Sequence, residues 1–268
     1  MISPPPPGAE AGAAPQPVRP GHGEFEAVAP YYDVLMASVP YRRWVDYVER
    51  LLARTRVRPA RVLDLACGTG KVGSELRRRG YRVVGADLSF PMACRCAEQD
   101  PPLAAAVMDA ACLGLREESL DLVVCLYDSL NYVLDPAGLR ECFRRLAAAL
   151  RPGGAFVFDL NAPRALRLGL FTQSNLHSLG PLLYRWQAHW EEARGLCRVD
   201  MWFRWRGAGG PAEFTEVHYQ RAYEEPEVQG WLREAGFRTV AGYDAYTFRP
   251  VTALSDRMYF VAQKGTTP

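Results

Sequence analysis

Lysine is nearly missing from this 268-residue chain: Lys71 and Lys264 are the only two, so arginine carries almost all of the positive charge. That is a bias of composition. With a formal net charge of +2 at pH 7, bulk electrostatics call for no polyanionic partner. The runs Arg77-Arg78-Arg79 and Arg144-Arg145 read as solvated helix faces. Cysteine occurs 7 times but never as a CxxC pair, which points to reduced thiols and a cytoplasmic setting. Cys94 and Cys96, the nearest pair, fall on an expected helix where such close neighbours do not face each other. His22, His177, His189 and His218 show no ligand spacing, so no metal is expected. No apolar run approaches the ~20 residues of a membrane span, and the N-terminus has no basic-then-apolar targeting pattern. The 49% hydrophobic content supports one good core, with room for a smaller appended lobe.

What is present in strength is Arg61 to Gly73, RVLDLACGTGKVG, and its continuation to Asp87. Val62, Leu63, Leu65 and Ala66 make a short apolar run, as in a buried parallel strand, broken by one carboxylate, Asp64. Gly68 and Gly70 turn the chain, Val72 and Leu76 open a helix that stops near Gly80, and a second strand, Tyr81 to Ala86, ends at Asp87. Glycines there let the backbone approach a ligand closely, and the helix N-terminus favours negative charge. Asp87 stands where ribose hydroxyls would be bound. The unit is therefore expected to hold a nucleoside-containing cofactor. Gly68-x-Gly70-x-x-Gly73 also fits the dinucleotide pattern, but a carboxylate inside the first strand is costly unless it meets a polar or cationic ligand group.

DLACGTG resembles the first motif of class I S-adenosylmethionine-dependent methyltransferases, and GADLS around Asp87 resembles their second. The resemblance implies S-adenosylmethionine as cofactor, leaving as S-adenosylhomocysteine. It implies Asp64, Ala66, Gly68, Thr69 and Gly70 at the methionine end and Asp87 at the ribose. FEAVAPYYDVLMASVPYRRW resembles the N-terminal cap of the YqeM-like group of small-molecule methyltransferases, which implies Tyr32 over the cofactor. YDSLNY, Tyr127 to Tyr132, matches that group's fourth motif, and RPGGAFVFDLNAP resembles the group again.

Taken in order, residues 1–24 are proline-rich and read as a disordered tail. Residues 25–57 read as a helical cap: Phe25, Val28, Tyr31, Tyr32 and Leu35 recur at helical spacing, and Trp44, Val45, Val48 and Leu52 share a face. Ser89 caps a helix through Cys96. Leu103 to Val107 is a third strand. By the resemblance, Met108, Asp109 and Ala110 at its end lie beside the adenine, with Leu88 and Met92 across the ring. Ser119 to Leu126 is the fourth strand, whose tip delivers Tyr127 to the cofactor and Asp128, Asn131 and Tyr132 toward the acceptor. A helix through Leu139, Phe143, Leu146 and Leu150 stops at Pro152-Gly153-Gly154. Strand five, Ala155 to Asp159, ends near Asn161.

Three period-two segments, Tyr184 to Trp190, Cys197 to Trp205 and Glu213 to Tyr223, predict an antiparallel meander with one buried face. It belongs to a lid spanning residues 162–225, and His189, His218, Tyr219 and Arg221 are its candidate acceptor-facing residues. A helix, Pro226 to Ala235, and strands near Arg238 to Tyr246 and Arg257 to Ala262 complete the domain, 25–264, with 265–268 a short tail. The expected fold is α/β: a doubly wound, seven-stranded Rossmann-like methyltransferase sheet, its last strand antiparallel by the resemblance, plus the inserted meander. The expected activity is methyl transfer to an oxygen or nitrogen of a small molecule. Asp128, a carboxylate at a strand tip beside the crevice, is the candidate general base. An RNA methyltransferase is disfavoured by near-neutral charge and the lack of an appended RNA-binding module. A non-catalytic cofactor-binding module and an NAD-dependent oxidoreductase stay open. No residue pattern sets the oligomeric state.

Overall fold

The computed structural model describes residues 23–266 apart from Arg56. Parallel strands β1 (Arg61–Leu65), β2 (Arg82–Asp87), β3 (Ala105–Val107), β4 (Leu120–Cys125) and β5 (Leu150–Asn161) form most of the main sheet. A second sheet follows: β6 (Gln173–Ser174), β7 (Leu182–Glu191), β8 (Leu196–Trp205) and β9 (Ala212–Arg221). The chain then returns to the first sheet with β10 (Phe237–Asp244) and β11 (Arg257–Lys264). The main sheet has 7 strands in the order β10-β11-β5-β4-β1-β2-β3, and β11 lies antiparallel between β5 and β10. The order reverses between β1 and β4, and an open sheet leaves a crevice beyond the C-terminal ends of its strands at such a point.

Helices cover both faces. On one, α2 (Tyr41–Thr55) and α3 (Lys71–Arg78) bury Val45, Val48, Leu51, Leu52 and Leu76 against Val62, Val124, Val157 and Val261. On the other, α5 (Pro136–Ala149) and α7 (Glu225–Glu234) bury Phe143, Leu146, Val228 and Leu232 against Phe156, Phe158 and Phe260. Near-continuous apolar strands are what a doubly covered sheet requires. The short cap helix α1 (Tyr32–Leu35) and α4 (Phe90–Ala97) lie on the cofactor side of the β2 tip, while α6 (Pro163–Arg167) leads into the second sheet. Ser89 Oγ accepts from Met92 N, as a capping serine should.

Several boundaries differ from those read in the sequence, and the first cap segment is helical only from Ala29 to Leu35, with Phe25 to Val28 in a turn and Phe25 at a φ of 61°. β3 is shorter, beginning at Ala105. β5 begins at Leu150, because Arg151 to Gly154 bulges out between the pairs Leu120↔Leu150 and Leu122↔Ala155 and does not end the strand's pairing. The meander carries a fourth, edge strand, β6, too short for an alternation to show. The tail expected over 1–24 lies outside the described residues except for Gly23 and Glu24. Glu24 is docked, its Oε1 accepting from Tyr219 N at 3.2 Å.

Phe158 sits at the centre of the α5/α7 layer, fully buried and stacked on Phe156 and Phe260 at centroid separations of 4.5 and 4.9 Å. Phe158→Ala removes both stacks and leaves a cavity that this close-packed layer cannot collapse. The expected loss is ~3–5 kcal/mol of unfolding free energy, read from urea denaturation.

Candidate functional site

The strand tips of β1, β2 and β4 open into one cavity of about 370 Å³ that runs from the Gly68 turn to the underside of the second sheet. At its cofactor end, Gly68 and Gly70 take positive φ of 52° and 80°. Gly70 turns inward against α4: a Cβ there would stand 2.6 Å from Cys96 Sγ. It therefore shapes the turn without lining the cavity, unlike Asp64, Ala66, Gly68 and Thr69, which all line it. Thr69 Oγ1 donates to Asp33 Oδ1 at 2.7 Å, and Lys71 Nζ meets Asp33 Oδ2 at 2.7 Å. These bonds fasten the cap to the glycine turn, with Tyr32 against Gly68. Asp33 was not singled out in the sequence; its only signal was a carboxylate beside the expected cofactor-facing tyrosine.

Asp87 stands at the tip of β2. Its Oδ2 accepts from Gly68 N at 2.7 Å and its Oδ1 from Ser89 N at 2.9 Å, which leaves a lone pair on each oxygen for the cavity. Burial pushes its carboxyl up, and the two amides pull it back. Leu88, Met92, Met108, Asp109, Ala110 and Tyr127 complete this end of the wall. The unoccupied valence is on Asp64. Its carboxylate is 2% exposed, and Oδ2 has no hydrogen-bond partner. Burial pushes its carboxyl up to about 7, against a hydrogen bond from Gly73 N and with Asp87 adding to the rise. An orphaned buried carboxylate on a cavity wall fits a ligand that brings donors and positive charge, as S-adenosylmethionine does.

Beyond Tyr127 the chemistry is ionic. Tyr127 and Asp128 both take positive φ, at 70° and 51°. This backbone is held by Asp159 at the tip of β5, which accepts from Tyr127 N at 2.7 Å and Asp128 N at 3.0 Å. Arg257, diagonally across the antiparallel pair β5–β11, bonds Asp159 and meets Asp128 Oδ1 at 2.7 Å. The other oxygen of Asp128 accepts from Gln220 Nε2 at 2.7 Å. Burial raises the Asp128 carboxyl, with Arg257 pulling it down. Asp128 thus reaches the cavity wall as expected, but both oxygens are engaged. That suits a carboxylate that holds the tip in place better than one that receives a proton.

Of the residues expected to face the acceptor, only Asp128, Tyr132 and His218 line the cavity. Asn131 and Asn161 are buried as sutures. Asn131 Nδ2 donates to Arg221 O at 2.8 Å, Asn131 Oδ1 accepts from Asn161 N at 2.9 Å, and Asn161 Nδ2 donates to Gln220 Oε1 at 2.9 Å. They stitch β9 to the tips of β4 and β5. His189, Tyr219 and Arg221 lie on the outer face of the second sheet. His189 pairs with Asp200 at 3.5 Å, Arg194 lies over the Tyr219 ring, and Arg221 donates to Leu134 O at 3.3 Å. The inner face of β9 is Phe214, Glu216, His218 and Gln220, in register with Phe203, Met201, Val199 and Cys197 of β8. Apolar phase marked the inner face on β7 and β8 and gave none on β9, whose inner residues turn polar where the sheet roofs the cavity.

The sequence also missed Arg257, Gln220, Phe25, Trp44, Trp186 and Phe203, all on the wall. Arg257, Gln220, Trp186 and Phe203 lie outside the motif strings, and Phe25 and Trp44 are the two ends of the cap string, where nothing in the pattern marked them as site residues. Among the described residues no group of three or more His, Cys, Asp or Glu could hold a metal ion, and no helix is long and apolar enough to cross a membrane.

Asp64 links the site to stability. Its carboxyl titrates near 7 in the fold against an ordinary 3.8, so the folded chain binds the proton more tightly than the unfolded one. Its stabilising contribution is complete below about pH 4 and is lost as pH rises through about 7. Asp64→Asn should therefore raise the melting temperature of the cofactor-free protein at pH 8 and leave it nearly unchanged at pH 4. The pH 8 gain is expected to be up to a few kcal/mol, and scanning calorimetry across that range checks it. Arg257→Met makes the opposite case. It leaves the Asp128 and Asp159 carboxylates buried without their cation, and should cost ~3–5 kcal/mol in urea unfolding.

Comparison with known proteins agrees with this geometry. A family model described as a methyltransferase domain matches residues 62–154. YqeM of Bacillus subtilis (strain 168), whose name gives methyltransferase as a provisional assignment, is 29% identical over 248 residues, 91% of this chain and 98% of that one. A dTDP-4-amino-2,3,4,6-tetradeoxy-D-glucose N,N-dimethyltransferase of Saccharopolyspora spinosa is 28% identical over 189 residues, 70% of this chain and 75% of its own. The crystal structure of an S-adenosylmethionine-dependent methyltransferase from Clostridium acetobutylicum ATCC 824 superposes with a TM-score of 0.78 at 25% identity, covering 89% of this chain and 98% of that one.

Proposed function

Given that the chain is a class I S-adenosylmethionine-dependent methyltransferase of the YqeM-like group, we propose that it methylates a nitrogen or oxygen of a small molecule held beneath the second sheet. The observation that carries this reading is the roof. The cavity continues past the Gly68 turn under Trp186, Met201, Phe203, His218 and Gln220, and the cap lies across it through Phe25, Val28 and Tyr32. A chamber closed in this way admits a compact acceptor and keeps a folded RNA away from its inner end. The relative that acts on an amino sugar nucleotide supports a small acceptor.

S-adenosylmethionine supplies a sulfonium-bound methyl group, already a strong electrophile. The protein's task is to hold the cofactor and to align a nucleophile behind that carbon, which is worth ~7–11 kcal/mol when the geometry is right. Asp64 and the Gly68–Thr69 backbone would hold the methionine end and Asp87 the ribose, with Met108 and Asp109 beside the base. Toward the acceptor, the wall is largely aromatic. The surrounding rings of Phe25, Tyr132, Trp186 and Phe203 exclude water from the reacting atoms.

The test combines cofactor titration with an acceptor panel. S-adenosylhomocysteine should bind in calorimetry, and Asp87→Ala should weaken it by ~1.5–3 kcal/mol, because charge-assisted bonds are lost and the Gly68 turn loosens. Incubation with labelled S-adenosylmethionine and a panel of small amines, phenols, alcohols and acids, with tRNA alongside, should transfer label to a small molecule. Transfer to tRNA alone would overturn the small-acceptor reading.

A further inference from the structure

The roof carries a chain of hydrogen bonds that cofactor binding does not explain. Tyr132, in the turn after β4, and His218, on the inner face of β9, both line the cavity. The Tyr132 hydroxyl is 3.2 Å from His218 Nδ1, and His218 Nε2 is 2.8 Å from Glu216 Oε2. Glu216 is held in turn by the cap, accepting from Val28 N at 3.0 Å and Phe25 N at 3.3 Å. His218 is fully buried, and the Phe25 ring packs edge-on against it at 4.5 Å.

The direction of these bonds follows from donor chemistry. An ionised carboxylate only accepts, so Glu216 accepts a hydrogen bond from Nε2–H and sets the tautomer. Nδ1 is then the acceptor, and the Tyr132 hydroxyl donates to it. That arrangement leaves the lone pairs of Tyr132 Oη for the cavity. Carboxylate, imidazole and hydroxyl stand in the order that activates hydroxyl nucleophiles elsewhere. Here the hydroxyl is placed to receive a proton.

We propose that Tyr132, His218 and Glu216 form a proton relay serving the methyl acceptor, and that docking of the cap on Glu216 assembles it. The relay rests on the small-acceptor reading above and narrows its substrate class. The nucleophile carries both a lone pair and a proton that it must lose, as an amine or hydroxyl does. As the acceptor's lone pair bonds to the methyl carbon, the pair of the breaking C–S bond returns to sulfur. The acceptor's proton passes to Tyr132 Oη while the tyrosine's own proton passes to His218 Nδ1, and the imidazolium is stabilised by Glu216. The proton returns to water as product leaves. Burial holds the Tyr132 hydroxyl well above its ordinary range, with Asp128 and Glu24 adding to the rise, so it passes a proton on and does not stand as phenolate. Asp128 is a poorer candidate because Arg257 and Gln220 engage both its oxygens.

Several titratable and charged groups face His218. Glu216 comes from its own strand, Glu24 and the Phe25 ring from the N-terminal segment, and Tyr132 from the turn after β4. On the same face of β9, Gln220 leads to the Asp128–Arg257 pair.

The experiment has two arms on the full chain. With an acceptor from the panel, Tyr132→Phe should lower kcat ~10²-fold or more, with acceptor KM and S-adenosylhomocysteine affinity within a few fold. His218→Asn should do the same and remove the acid limb of the kcat–pH profile. Wild-type kcat in Tyr132→Phe, or an unchanged profile in His218→Asn, overturns the relay. The second arm needs no acceptor: ¹⁵N-histidine NMR of the S-adenosylhomocysteine complex at pH 8, with His218 assigned by difference from His218→Asn. A single proton on Nε2, with the Nδ1 resonance moved in Tyr132→Phe, supports the relay. An Nδ1–H or doubly protonated ring overturns it. Failure of the panel to yield any small acceptor would count against the function proposed above, and the NMR arm would still decide the relay.

Discussion

One half-buried cation holds the tips of β4 and β5 together beside the cavity. Arg257 lies between Asp128 and Asp159, and Asp159 also gathers the amides of Tyr127 and Asp128. Two consecutive residues in the left-handed region are costly for non-glycine side chains and persist only where the surroundings impose them. The carboxylate of Asp159 is what imposes them. It can do so because β11 runs antiparallel and brings an arginine diagonally across from it. The reversed last strand is thus more than a topological signature: it delivers the counter-ion that lets the β4 tip point its side chains at the crevice.

The second sheet depends on the same joint. Gln220 reaches Asp128, and Asn131 and Asn161 tie β9 to the tips of β4 and β5. The roof is therefore registered against the catalytic crevice by hydrogen bonds from buried side chains and does not merely rest on it. The cap closes the other side with two latches, Asp33 on Thr69 and Lys71, and Glu216 on the amides of Phe25 and Val28. Cofactor turn, cap and roof are linked through polar contacts.

The alternation of sequence patterns explains which parts of the site were legible. Asp64, Gly68 and Asp87 belong to one contiguous β-turn-α-β unit, so their spacing along the chain is also their arrangement in space. β7 and β8 were assigned to the correct face because their inner residues are apolar. On β9 the inner residues are Glu216, His218 and Gln220; His218 and its outward neighbour Tyr219 were both read as candidates, because no apolar phase told the two faces apart. Asn131 and Asn161 looked like ligand contacts because strand tips bear ligands. Their amides are consumed by backbone and by Gln220 instead, as buried amides must be. Asp128 was rightly placed at the crevice, but its partners could not be seen, since Arg257 lies 129 positions further along the chain.

The sequence by itself determined the doubly wound core, the cofactor crevice and the existence of an inserted meander. Each of these follows from local information: the period of hydrophobicity, the glycines a tight turn needs, and a carboxylate at a strand end. Tertiary structure decided the chamber beneath the second sheet. Its wall is assembled from the cap, the β4 turn, β8, β9 and β11, and a polar side chain's role there depends on which partner reaches it first. Arginine against carboxylate, amide against carbonyl and imidazole against glutamate are choices made across sheets, and no spacing along the chain encodes them.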